Sequence, residues 1–355
     1  MWGILDEVVV PGRPDDPTLR FRHYRGAEDL PGMAAANQAM RDDAGLLDTS
    51  SSDDMAIQYA NLTNSDLERD LVLVERVADE EAPSRTVGYA RVEWRDLTDG
   101  TRAFACVVVM APDARTPALA RSLMGWAERR MGENAAALPD RDRVPSVMQA
   151  YTVGPDPTLP DVLRAAGWRE RGRGYEMLID PIGSVPAVPL PAGLRLRPIV
   201  DTESDRRDVW DALIDAFRDH RAEPKPSDED WRMFRDEPKH DTALWVVAAD
   251  GDEIVGGALG LIDEELIEHH GTPRGSIDAV FTRPAWRRRG VARATLAQAI
   301  ERLRDRGMTS CFLDVDGLNP NQAMTLYESL GFVIASTSLD WEKPLPDLPP
   351  ASDHG

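Results

Sequence analysis

The sequence predicts an α+β fold made of two similar units in tandem, on three observations. Strand-like and helix-like segments recur in the order β-β-β-α-β-α-β in both halves of the 355 residues, preceded in the second half by a strand and a helix. That length fits two domains of roughly 150 to 180 residues each. Pro112, Arg115, Ala120 and Arg121 stand at one constant offset from Pro284, Arg287, Ala292 and Arg293, in the same strand-loop-helix context, which is the trace of an internal repeat. Between the halves, Pro181, Pro186, Pro189 and Pro191 alternate with small and apolar residues, a composition that sustains neither a helix nor a central strand. The expected organisation is a flexible tail over 1–18, a first unit over 19–180, a linker over 181–193, a second unit over 194–345 and a flexible tail over 346–355.

Each element has its own signal. In the second half, residues 194–199 alternate as a strand, and 203–217 place Val209, Leu213 and Phe217 on one helical face. Residues 242–249 and 253–261 read as strands joined by the turn Asp250-Gly251-Asp252. Residues 276–282 form a strand closed by Pro284, and 291–306 a helix with Leu296, Ala299, Ile300 and Leu303 on one face and Gly307 as its stop. A strand over 310–315, a short helix over 322–330 and a last strand over 333–341 complete the unit. The first half gives strands over 71–77, 86–94 and 101–110, a helix over 117–131, a strand over 147–153, a helix over 160–166 and a strand over 175–179.

Charge and cysteine usage exclude several classes. Lys and Arg total 41 against 62 Asp and Glu, a net charge of -21, which repels phosphate backbones and anionic lipid and speaks against a nucleic-acid partner. The N-terminus lacks the basic-then-apolar pattern of an export signal, and no run approaches a membrane span, so neither export nor membrane insertion is expected. Cys106 and Cys311 are the only cysteines and each lies in an apolar strand-like segment, so two buried reduced thiols and a cytoplasmic location are expected, without a metal site.

The chemistry-bearing stretch is Arg287-Arg288-Arg289-Gly290-Val291-Ala292, which follows a strand and opens a helix. A helix start presents unpaired backbone N–H groups and the positive end of the helix dipole, and Gly290 removes a side chain where an anion would approach. An exposed basic turn eased by a glycine fits the same residues. Downstream, Asn319, Ala323, Leu326, Tyr327, Gly331 and Phe332 form a second constellation, one helix beyond the next strand.

Together the two stretches resemble the GNAT (Gcn5-related N-acetyltransferase) superfamily, whose pattern Arg/Gln-x-x-Gly-x-Gly/Ala is matched by Arg287, Gly290 and Ala292, and whose pattern Asn…Ala-x-x-Leu-Tyr-x-x-x-Gly-Phe is matched by the later residues. The resemblance implies two GNAT-type domains in tandem, each a mostly antiparallel mixed sheet flanked by helices, with acetyl-CoA as acyl-donor substrate. It places the diphosphate on the N–H groups of Arg288, Arg289, Gly290, Val291, Ala292 and Arg293, with Arg287 opening the motif. Pantetheine contacts fall on Val280 and Thr282, and a further contact on Asn319. Tyr327 matches the tyrosine that protonates the leaving thiolate, with helix packing as its alternative role. The N–H of Val280 could polarise the thioester carbonyl.

Family members place a glutamate where this chain has Ser276. Asp278, two residues on, is the first candidate base, with Asp314, Asp316 and Glu264 behind it; pairing with a core cation is the other reading of Asp278. The first half has Pro117, Ala118 and Leu163 where the second has Arg289, Gly290 and Tyr327, so it is expected to lack the chemistry and to wall one side of the acceptor cleft. The tandem layout resembles that of the mycothiol synthases. The expected activity is acetyl transfer to a primary amine of a small molecule, with a non-catalytic acyl-CoA-binding or protein-interaction module, or a protein N-acetyltransferase, as alternatives.

Overall fold

In the computed structural model, residues 8–77, 84–183, 185, 188–218, 224–317 and 323–345 are described. The N-terminal half runs β1 (Leu19–His23), α1 (Leu30–Ala44), α2 (Ser52–Asn61), α3 (Leu67–Asp70), β2 (Leu71–Arg76), β3 (Arg85–Asp96), β4 (Arg102–Met110), α4 (Pro117–Ala137), β5 (Ser146–Val153), α5 (Thr158–Ala165) and β6 (Arg169–Ile179). The C-terminal half repeats it as β7 (Arg195–Leu196), α6 (Glu203–Phe217), α7 (Asp228–Asp236), β8 (Trp245–Asp250), β9 (Glu253–Ile262), α8 (Glu264–His270), β10 (Arg274–Thr282), α9 (Val291–Asp305), β11 (Ser310–Asp316), α10 (Ala323–Glu328) and β12 (Val333–Pro344).

The strands join into one sheet ordered β1-β2-β3-β4-β5-β12-β6-β11-β10-β9-β8-β7. Pairing is antiparallel except at β4–β5 and β10–β11. The last strand of each half lies in the other: β12 pairs with β5, β6 pairs with β11, and β6 and β12 pair with each other at the centre. Trp341 of β12 is therefore buried in the N-terminal core beside Phe104, Met148 and Trp168, its indole N–H donating to the Thr152 hydroxyl at 3.0 Å. Met177 and Ile179 of β6 likewise complete the C-terminal core under α9.

Two features bring α9 onto the sheet at the point where function is expected. Leu296, Ala299, Ile300 and Leu303 form its buried face, the four-residue periodicity that the sequence shows. Gly256 on β9 leaves room for the first turn, since a Cβ there would lie 2.7 Å from the Phe281 carbonyl oxygen and 2.9 Å from Val291.

Several expectations are revised. The strand over 194–199 shrinks to Arg195–Leu196, because Pro198 cannot donate to a ladder. The segment over 242–249 begins as a 3-10 turn, Thr242–Leu244, capped by the Asp241 carboxylate, before β8. The expected tail over 1–18 is not free throughout: Val8 and Val10 are buried against α4, and Arg129 donates to the Val9 carbonyl. In the Pro-rich connection, Val185 is buried in the C-terminal core. Residues 1–7 and 346–355 lie outside the described residues. Cys106 and Cys311 are buried and unpaired, and among the described residues no helix is long and apolar enough to cross a membrane.

Strand exchange makes a local prediction. Trp341→Ala removes a large side chain from the opposite half's core and should cost about 3–5 kcal/mol, read as a lower denaturant midpoint. An unchanged midpoint would mean that the N-terminal core does not depend on β12.

Candidate active site

β10 and β11 run parallel and paired only from Arg274–Ser310 to Ile277–Leu313. Beyond that point they diverge, and the register of β10 against β9 slips between Ile277 and Ala279, making Asp278 the bulged residue. Ile277 packs into the cluster under α9, whereas Phe281, four residues on, packs with α6 and α7. The bulge has switched the face that the strand presents.

A cavity of about 480 Å³ occupies the wedge so opened, lined by Val280, Thr282, Arg287, Arg288, Gly290, Val291, Ala292, Arg293 and Tyr327 among others. α9 opens at its rim. Gly290 holds φ at 90° and no side chain caps the helix, so the first-turn N–H groups face the cavity without a protein acceptor of their own. A side chain at Gly290 would meet no atom within 4 Å; glycine is required there by its backbone angle, not by crowding. Arg288 also takes a positive φ, 60°.

The arginines divide their roles. Arg287 donates to the Ala216 carbonyl at 2.7 Å and braces the end of α6. Arg289 stacks on Trp286 at 4.8 Å and does not line the cavity. Arg288 and Arg293 line it. The hydroxyl of Thr282 is buried without a partner at this wall, an orphaned group that a bound donor or acceptor would satisfy. Asn319 lies outside the described residues.

A second cavity, about 720 Å³, adjoins the first across Phe217, Val280 and Tyr327, which line both. The C-terminal half supplies Asp278, Asp314 and Asp316, and the N-terminal half Arg95 and Thr98. Asp278 and Asp314 also border a third hollow of about 390 Å³, reached by Asp48 and Asp54 of the N-terminal half and by Lys239. Glu264 stands in the first turn of α8, outside all three.

Tyr327 is buried where the first two cavities meet. Desolvation pushes its phenol up to about 12, so it stays protonated through the neutral range. Asp314 is exposed to the cleft, and the protein packed around it strips away part of its hydration. That desolvation, then the charge of Glu176, push its carboxyl up to about 6, with Asp278 adding and Arg41 opposing. Asp278 is half exposed and lies 3.4 Å from Nε2 of His240. The other nitrogen of this buried imidazole, Nδ1, is 3.1 Å from the Phe234 carbonyl, which can only accept. His240 was not singled out from sequence: it sits in a loop, where no periodicity marks it.

The N-terminal half repeats the wedge and closes it. β4 and β5 part after Cys106 and Ala150, but the hollow lined by Met40, Val108, Met110, Tyr151 and Leu159 holds only about 40 Å³. Thr116 caps α4 by accepting from the Leu119 N–H at 3.1 Å, and Pro117 removes another donor. Leu163, at the place of Tyr327, is core.

The acetyltransferase (GNAT) family model matches residues 207–332. A mycothiol acetyltransferase from Salinispora arenicola is 30% identical over 260 residues, covering 72% of this chain and 77% of that protein. Another from Salinispora tropica is 31% identical over 61% of this chain and 70% of its own length. Among solved structures, a GCN5-related N-acetyltransferase from Sphaerobacter thermophilus has a TM-score of 0.70 at 23% identity, covering 95% of this chain and 98% of its own. A tandem GNAT protein from the clavulanic acid biosynthesis pathway has a TM-score of 0.59 at 13% identity, covering 93% and 100%. These two share the fold over nearly the whole chain. The two sequence motifs, the opened wedge and relatives at this identity and coverage agree: the chain belongs to the GNAT family and is an N-acetyltransferase.

Proposed function

We propose that the chain transfers the acetyl group of acetyl-CoA to a primary amine of a small molecule, with one active site in the C-terminal half. The observation that carries this reading is the meeting of two cavities at Val280 and Tyr327: one ends in an uncapped helix mouth, the other in carboxylates. Acetyl-CoA supplies the thioester carbonyl. The N–H groups of Arg288 to Arg293, with the side chains of Arg288 and Arg293, hold its diphosphate. Val280 and Thr282 border the pantetheine arm, and the Val280 N–H polarises the carbonyl oxygen.

The amine attacks from the second cavity. As its nitrogen bonds to the carbonyl carbon, one N–H proton passes to a carboxylate of the Asp278–Asp314 pair. The carbon–sulfur bond breaks, and the Tyr327 hydroxyl protonates the departing sulfur. A phenol held near 12 suits an acid that must be loaded before each turnover. The acidic lining favours a cationic acceptor. The N-terminal wall of Arg95 and Thr98 favours a small molecule over a protein chain. The amine acetylated by mycothiol acetyltransferases is the first acceptor to test, and Ser276 at the place of the family glutamate is the departure that makes the test informative. The free thiols Cys106 and Cys311 agree with a cytoplasmic enzyme.

Two measurements check this reading. Calorimetry should give one coenzyme A per chain, and Gly290→Glu, which sets a negative side chain at the helix mouth, should abolish the heat; two sites per chain would contradict the collapsed N-terminal wedge. With acetyl-CoA and a panel holding glucosamine, spermidine and the mycothiol acetyltransferase substrate, Tyr327→Phe should lower kcat by about 100-fold or more with the KM for acetyl-CoA nearly unchanged. Undiminished turnover would remove Tyr327 from the mechanism.

A further inference from the structure

Glu176 lies on β6, the strand that the N-terminal half lends to the C-terminal sheet, and its register partner on β11 is Asp314. Directly opposed residues in an antiparallel pair place their side chains on one face, with Cβ atoms about 4.5–5.5 Å apart. The two carboxyl groups are thus neighbours by construction, one from each half.

Glu176 is buried, and its surroundings suit the ionised form. The Leu47 N–H, which can only donate, reaches Oε1 at 3.2 Å and Oε2 at 3.0 Å. The Ser336 hydroxyl lies 2.6 Å from Oε2, in the short range of a hydroxyl donating to a carboxylate. Among the described residues no arginine, lysine or histidine forms an ion pair with it. Donors aimed at both oxygens favour the charged form of a carboxylate, whose field then falls on the neighbouring carboxyl.

The cations near Asp314 are already engaged. Arg41 of α1 holds Asp48, with Nε 2.9 Å from Oδ1. Lys239 lies 2.8 Å from both Asp54 and Asp263. Arg95 spans Glu229 at 2.9 Å and Asp230 at 2.8 Å, and Arg218 is 2.8 Å from Asp215. Asp278 on β10 has His240, while Asp316 on β11 and the neutral Tyr327 offer no positive charge. Asp314 itself forms no ion pair among the described residues.

Resting on the acetyltransferase reading above, we propose that Glu176 is a positioning residue for that reaction. Its fixed negative charge beside Asp314 makes Asp314, rather than Asp278, the acceptor of the amine's proton. The N–H bond breaks toward an Asp314 oxygen while the nitrogen keeps its electron pair in the new amide. The protonated carboxyl then returns its proton to solvent through the cleft, and Asp278, 3.4 Å from His240, lines the cleft beside it and orients the substrate.

Carbon-13 NMR titration of the Asp314 carboxyl, assigned by its loss in Asp314→Asn, tests the coupling without any acceptor. The wild-type midpoint should lie near the value of about 6. Glu176→Gln, which keeps a donor-accepting oxygen and removes the charge, should lower it by about one pH unit or more, and Glu176→Asp should restore part of the shift. An unmoved midpoint in folded Glu176→Gln overturns the proposal. If that variant does not fold, the wild type decides: the Glu176 carboxyl must stay ionised across the Asp314 transition, and its titration at higher pH overturns the proposal equally. In turnover assays with the amine panel, Asp314→Asn should lose about 100-fold in kcat and Asp278→Asn should lose less, acting mainly on KM. The reverse order assigns the proton to Asp278 and overturns the claim for Asp314. Absence of turnover with every amine in the wild type would instead sink the transferase reading itself, while the NMR arm would still report on the carboxylate pair.

Discussion

The parting of β10 from β11 after Ile277 is the constraint on which the rest of the site depends. Side chains alternate along a strand, so one extra residue reverses which face each later residue occupies. The bulge at Asp278 does this in mid-strand, which is why Ile277 packs under α9 and Phe281 packs with α6 and α7. A cluster of large side chains on each face, Ile300 and Leu303 on one and Trp210 and Trp245 on the other, keeps the two strand ends from closing. Val280 faces the gap, Asp278 turns to the cleft, and the uncapped start of α9 stands at the open end. The wedge is thus a product of core packing on both sides, and loop motion is not needed to create it.

The same architecture in the N-terminal half gives the opposite result. β4 and β5 also part, but β4 keeps an unbroken register with β3 and has no bulge to turn its face; Met40 and Met110 line what is left of the hollow, and Thr116 satisfies the helix mouth that Gly290 leaves open. What that half contributes lies elsewhere. Through the exchange of β6 and β12, each core contains a strand of the other, and ion pairs such as Arg95 with Glu229 and Asp230, and Lys239 with Asp54, close the seam. The seam is also the cleft wall, so the packing that holds the halves together sets the shape of the acceptor cavity.

Sequence reasoning reached most of the C-terminal elements because their signals are local: Glu203–Phe217 and Val291–Asp305 stand where periodicity and Gly307 place them. The helix mouth at Gly290 was legible in one strand-turn-helix, while Val280, Thr282 and Tyr327 came through the resemblance to the GNAT superfamily. What escaped is non-local. The α1, α2 and α8 helices carry short or weak apolar faces. Strand exchange has no sequence signature, because Met177 and Trp341 look like core residues whichever core receives them. Glu176 did leave a trace, as the lone acid in Tyr175-Glu176-Met177-Leu178-Ile179. The reasoning that singled out Asp278, that an acid in an apolar strand needs a partner or a purpose, applies to it equally.

The charge distribution of the cleft creates a conflict that the carboxylate pair is placed to resolve. With Arg41, Lys239 and Arg95 neutralised by Asp48, Asp54, Asp263, Glu229 and Asp230, the residual field at the acceptor cavity comes chiefly from Asp314 and Glu176, with Asp278 beside His240. Such a field gathers cations, and an amine that arrives as ammonium is gathered best. The same field stabilises the ammonium against deprotonation, and a protonated nitrogen has no electron pair with which to attack. A carboxyl at its ordinary proton affinity would accept the proton too weakly to help. Raising that affinity by partial desolvation and by a second carboxylate, as the position of Asp314 opposite Glu176 does, turns part of the attracting field into proton-accepting power at the point of attack.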